Sequence, residues 1–174
     1  DPTATARDIT FVVNDGGTSN NLSSVVHSTV NITAVNDAPV LANGSTIAYT
    51  ENDAATLINT AITVSDVDST TLASATITIT NYIAGEDSLS FTNDGSSMGN
   101  IAASYSNGVL TLTSAGNTAT VAEFQSAMRA VKYANSSDDP TATARDITFV
   151  VNDGGTSNNL SSVGHSTVNI TAVN

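Results

Sequence analysis

The residues best suited to chemistry are carboxylates and side-chain amides in loops. They are Asp66 and Asp68 with one residue between them, Asp153 in an Asn-Asp-Gly-Gly turn, and the adjacent pair Asn36 and Asp37. The chemistry that suits them is capture of a hard cation. With no cysteine and only two histidines in the chain, oxygen is the donor on offer. An ion taking ~6 to 8 oxygen ligands is calcium before magnesium or zinc. Two like charges near 4 Å cost ~1 kcal/mol in water and ~4 at an effective dielectric of 20, so carboxylates drawn to one place need a counter-ion. Asp and Asn are also ordinary turn residues that hydrogen-bond their own backbone. Convergence of these loops, more than residue type, is therefore what the reading requires.

Other chemistries find less support. The 16 Asp and Glu against four Lys and Arg give a net charge of -12, the wrong sign for binding phosphate backbones. Nucleic acid is excluded as a partner on that ground. Gly95-Ser96-Ser97-Met98-Gly99 has the letters of a nucleophile elbow, but no strand-to-helix pattern surrounds it. His27 and His165 recur as one strand position in two copies, and Glu86 and Asp87 are neighbours in a turn rather than a convergent pair. No acid, base and nucleophile are set to meet, so the chain reads as a non-enzyme. No run approaches the ~18 apolar residues of a membrane span.

The elements that must position the carboxylates are strands. Ile62 and Val64, then Ala75, Ile77 and Ile79, then Ile147, Phe149 and Val151, and finally Val168 and Ile170 alternate with polar residues, the period of half-buried sheet. Ser106-Asn107-Gly108 between two such runs predicts a tight hairpin. Thr120 and Glu123 have capping-box spacing ahead of Val121, Phe124 and Met128, which predicts one short helix over Val121 to Arg129. Arg145 has core parity and is expected to close the rim of the core against a carboxylate, while Gly164 is expected at a bulge or rim. About seven to nine short strands and one helix predict an all-β fold, an antiparallel Greek-key β-sandwich of the cadherin or immunoglobulin type. There the loops holding Asp66, Asp68 and Asp153 would converge with Asn36 and Asp37.

Organisation along the chain follows from a duplication. Residues 139 to 174 repeat residues 1 to 36, differing only where Val26 becomes Gly164. That is the mark of a tandem array with a 138-residue period. With a seam at Val35 to Pro39, residues 37 to 174 form a complete repeat and residues 1 to 36 the closing strands of the preceding one. An isolated hairpin is marginal in water. Residues 1 to 36 are thus expected either to be loosely held or to borrow a sheet edge from a neighbour, as an added or exchanged hairpin, in the same chain or in another molecule.

Four stretches carry a family resemblance. Thr50-Glu51-Asn52, Asp66-x-Asp68, Val151 to Gly155 with Leu160-Ser161-Ser162, and Val35 to Pro39 resemble, in order, the motifs of cadherin repeats. Phe124 to Asn135 leading into Asp139-Pro140, Arg145 and Ile147 to Gly154 is similar to the bacterial cadherin-like repeats of large surface adhesins. The resemblance covers nearly all of residues 37 to 174. It implies calcium bound between successive repeats of one chain, stiffening a rod on the bacterial cell surface that supports adhesion. On that pattern Asn36, Asp37, Asp66, Asp68 and Asp153 would serve the upstream junction and Glu51 the downstream one. Ala34 and Ala38 stand where cadherins carry an acidic residue and an Asn, which implies fewer ions per junction. The alternative reading is a carbohydrate- or ligand-binding sandwich of a secreted protein, whose mark would be an exposed aromatic platform.

Overall fold

A computed structural model describes residues 2–173. It divides into two compact units between Val35 and Asn36, one residue ahead of the seam read from the sequence. The shift has a cause: the Asn36 side chain donates to Asp153 Oδ2 at 2.8 Å, which ties it to the second unit.

The first unit is a hairpin of β1 (Arg7–Phe11) and β2 (Val26–Val30), antiparallel with Arg7 opposite Val30 and Phe11 opposite Val26. Both strands are exposed along their whole length.

The second unit runs β3 (Val40–Ala42), β4 (Ser45–Thr50), β5 (Thr56–Leu57), β6 (Thr63–Ser65), β7 (Ser74–Ile79), β8 (Asp87–Ser90), β9 (Ile101–Ser106), β10 (Val109–Ser114), α1 (Val121–Arg129), β11 (Lys132–Asn135), β12 (Arg145–Asn152) and β13 (Gly164–Thr171). The six-stranded sheet has the order β4-β13-β12-β7-β10-β9, and β5-β11-β8 and β3-β6 make the smaller sheets. The protein is an all-β sandwich with one α-helix. Alternation explains the layers: along β12, Arg145, Ile147, Phe149 and Val151 are buried while their neighbours are half-buried. One continuous core joins Ile77, Leu112 and Phe149 of the large sheet to Leu89 and Tyr133 of the small one and to Phe124 and Met128 of the helix. Tyr49 and Tyr133 meet edge to face across this core, with ring centroids 5.2 Å apart.

The helix is as the capping pattern predicts. Thr120 Oγ1 accepts from the Glu123 backbone N–H, and Glu123 Oε2 accepts from that of Thr120 at 2.7 Å. It also supports the strand leading to Asp66. Gln125 Oε1 accepts from the Val64 N–H at 3.2 Å and Arg129 Nε donates to the Ile62 carbonyl at 2.8 Å. The hairpin turn at Asn107-Gly108 forms between β9 and β10 with both residues at positive φ.

Three details depart from expectation. β13 pairs β4 in parallel, Thr171 opposite Thr50, so the large sheet is mixed instead of purely antiparallel. Period-2 patterning fixes which face a residue takes but not strand direction, hence the miss. Arg145 is fully buried rather than at a rim, because it has two carboxylates to pair with, Glu86 and Asp87. Gly164 sits at no bulge but at the half-buried start of β13, in regular register opposite Phe149, which leaves the rim placement of the two expected.

Candidate metal centre

Asn36 and Asp37 form the connection that brings the other candidates together. The Asn36 amide donates to Asp153 Oδ2 at 2.8 Å and to the carbonyls of Ser157 and Asn158 at 3.1 and 3.2 Å. Its own carbonyl accepts from Asn158 Nδ2 at 3.0 Å. Gly155 permits this approach, since a Cβ there would lie 2.9 Å from the Asn36 amide group. The next residue turns to the other loop, and the Asp37 N–H donates to Asp68 Oδ2 at 2.9 Å. Two successive residues thus staple the loop after β6 to the loop after β12.

The loop after β6 is shaped by its own first aspartate. Asp66 Oδ1 accepts from the backbone N–H groups of Asp68 and Ser69 at 3.0 and 2.8 Å, the Asx geometry that short acidic side chains favour. What remains is unusual. Asp66 Oδ2 and Asp68 Oδ1 are both shielded from solvent and have no hydrogen-bond donor. Buried carboxylate oxygens without partners are costly. Burial pushes the Asp66 carboxyl above the ordinary carboxylate range, with the adjacent Asp68 adding to the rise. The Asp37 N–H, then the Asp66 side chain, hold Asp68 below that range.

The expected centre of four carboxylates therefore separates into linked parts. Asp66 and Asp68 form the pair with free oxygens. Asp153 stands beyond Asn36, its Oδ1 accepting from the Gly155 N–H at 2.6 Å. Asp37 reaches Asp68 by its backbone, and Asn36 acts as a donor to Asp153 rather than as an oxygen ligand. Among the described residues no three or more His, Asp or Glu side chains gather closely enough to hold a metal unaided. The donor set still fits a hard divalent ion in part, because two orphaned oxygens of an all-oxygen site face no N–H or O–H. The rest of such a shell would come from backbone carbonyls and water. An alternative use of the same two oxygens is a shared proton.

Glu51 lies elsewhere, at the opposite end of the domain. It is buried, and its Oε2 accepts from the Val173 N–H at 2.7 Å while Oε1 accepts from Asn52 Nδ2 at 3.2 Å. It closes the C-terminal ends of the parallel pair β4 and β13, its own N–H donating to the Thr171 carbonyl at 2.9 Å. The residue before Asn174 is thus bound to Glu51, and Asn174 repeats Asn36 in the sequence.

Sequence reasoning set Arg145 against a carboxylate, as the structure has it, but did not name Asp87, Tyr133 or Asn135 as members of the most elaborate polar cluster. Asp87 Oδ2 accepts from Arg145 Nε at 2.7 Å and from the Ile83 N–H at 2.8 Å, and Oδ1 accepts from Tyr133 Oη at 2.6 Å and Asn135 Nδ2 at 3.2 Å. The arrangement is saturated and closed to solvent, so it holds the sheets together and offers no free valence. The signal available was the inward parity of both Arg145 and Tyr133.

No family matches the sequence, and no curated protein matches it either. Among solved structures the chain is similar to the seventh ScaB type I cohesin from Pseudobacteroides cellulosolvens, with a TM-score of 0.42 and 10% identity over 79% of this chain and 94% of that one. A likeness at that level carries no functional inference.

Proposed function

We propose that residues 36–174 are a calcium-binding structural repeat of a bacterial cell-surface adhesin, an extender whose junctions are stiffened by bound ions. The observation that carries the reading is the pair of orphaned oxygens, Asp66 Oδ2 and Asp68 Oδ1, next to the Asn36-Asp37 connection. A divalent ion there would satisfy both at once and fix the loop after β6 to the segment entering the domain. The sequence period supports the array. Translated by one repeat, the position of Glu51 beside Val173 becomes a carboxylate beside Val35, next to the Asn36 that binds Asp153. Glu51 of each repeat would then belong to the junction that follows.

Isothermal titration of calcium chloride into the metal-stripped chain tests this directly. A saturable heat with about one ion per domain, lost in Asp66→Asn and Asp68→Asn, is expected. No heat between pH 6 and 8 would assign the two oxygens to a shared proton and remove the proposal.

A further inference from the structure

We infer that β9 is a self-docking edge: β9 of one copy of this chain pairs antiparallel with β9 of a second copy, Ala103 opposite Tyr105 and Ser104 opposite Ser104 across a two-fold axis. Three observations carry this.

First, backbone groups stand free along β9. Asn107-Gly108 is a two-residue turn closed by the pair Ser106↔Val109. Ser106, Ser104 and Ala102 therefore turn their N–H and C=O groups toward β10, and Ile101, Ala103 and Tyr105 turn theirs outward. Ile101 is provided for: its N–H donates to the Met98 carbonyl at 3.2 Å and its carbonyl accepts from Asn93 Nδ2 at 2.9 Å. The outward N–H and C=O groups of Ala103 and Tyr105 meet no partner among the described residues. Two donors and two acceptors so spaced match themselves when a second β9 is turned through 180°. Each Ala103 then exchanges both bonds with the Tyr105 of the other copy.

Second, β9 lacks the guards of an edge. Charge, proline, bulges or a covering segment ordinarily keep edge strands from pairing. β9 runs six residues in regular register with β10, and Ala102 through Ser106 are exposed. Residues 95–122 hold no charged side chain and no proline, in a chain of net charge -12. Two copies repel over most of their surface and least here. Apart from Tyr105, which falls opposite Ala103, the paired residues are Ala and Ser, so the backbones close to ~4.8 Å without overlap. The core also stops one strand short. Leu110 is 2% exposed, while Tyr105 beside it is 38% exposed, and a second copy brings cover to that ring.

Third, β9 is remote from both connections of the unit. Asn36 is held by Asp153 after β12, and Val173 by Glu51 after β4. β9 lies four strands from β13, ~19 Å at ~4.8 Å per strand, so its exposure does not follow from where the chain begins or ends. The other six-residue edge of the sheet, β4, is guarded at Thr50, whose N–H donates to Asp53 Oδ2 at 3.1 Å and whose carbonyl accepts from the Asp53 N–H at 3.0 Å.

Because the chain has no cysteine, disulfides read the register. Ser104→Cys, held in a glutathione redox buffer at several protein concentrations, should give an intermolecular disulfide in concentration-dependent yield. In this register the pair at 104 is the non-hydrogen-bonded one, whose side chains come closest. The yield should exceed those of Ala102→Cys and Ser106→Cys by at least about threefold, because each of these residues lies four positions from its own counterpart, ~13 Å along the strand. The double variant Ala102→Cys/Ser106→Cys should regain the yield, since position 102 falls opposite position 106. Equal yields from the three single variants, the result of random collision or of β9 pairing with another copy's β4, overturn the inference.

Discussion

Arg145 donates Nε–H to Asp87 Oδ2 at 2.7 Å with neither side chain exposed to solvent. The bond joins β12 of the large sheet to β8 of the small one, and the remaining guanidinium nitrogens bond Glu86 Oε2 and the carbonyls of Thr141 and Thr143. Replacing one partner of such a pair leaves the other buried and uncompensated, at a cost of ~3–5 kcal/mol. Arg145→Met should therefore lower urea stability by about that amount, even though Tyr133 and Asn135 still donate to Asp87. A loss below ~1 kcal/mol would show that those neutral donors suffice.

Glu86 gives the same cluster a pH dependence. Burial raises its carboxyl, but the N–H and O–H of Thr141, with Asn135 and Arg145, outweigh burial and bring it below the ordinary 4.5. A carboxyl depressed on folding contributes stability above its unfolded value, and that contribution is lost as pH falls through the folded one. Denaturant titrations at pH 6 and pH 3 should show a smaller acid-induced loss in Glu86→Gln than in the parent. Equal losses would place the acid sensitivity elsewhere.

How far the sequence discloses the molecule depends on which physical rule fixes each feature. Alternation put Ile147, Phe149 and Val151 inward, and the capping box set the start of α1, because these are local rules that burial and hydrogen bonding enforce. The parallel pairing of β4 with β13 was hidden, since both strands show the same alternation in either direction. The residues of the candidate centre were named from type and spacing. Their division into an Asn36–Asp153 contact and an Asp37–Asp68–Asp66 contact depends on how two loops approach, which no single segment encodes. The Asp87 cluster was legible only as Arg145 against some carboxylate, for a like reason: the four groups that donate to Asp87 come from three separated stretches of chain, at Ile83, at Tyr133 and Asn135, and at Arg145.

Asp66 makes a prediction that distinguishes an ion site from a simple turn. Its raised carboxyl means that ionisation opposes folding when no cation is present, so its effect is unfavourable once pH exceeds the unfolded value. Asp66→Asn should leave the melting temperature in chelator unchanged or higher. Calcium at 100 times its dissociation constant should stabilise the parent by ~2.7 kcal/mol, a rise of roughly 5–15 °C for a domain of this size. The variant should lose that rise. Calorimetry of both proteins with calcium and with chelator reads the four values, and a parent whose melting temperature ignores calcium contradicts the site.

Gly164 is the one position at which the duplicated segments disagree, and the fold has room there for what the other copy carries. Its backbone is not in the left-handed region, its register opposite Phe149 is regular, and an added Cβ meets Leu41 and Phe149 at contact distance without overlap. Glycine inside a strand loses backbone entropy on folding and packs nothing against its neighbours. Valine has the branched shape that strands accept and would bury methyl groups beside Leu41 and Ile62. Gly164→Val should stabilise the domain by ~1–2 kcal/mol, seen as a higher denaturant midpoint with an unchanged m-value. A lower midpoint would mean that Leu41 cannot yield.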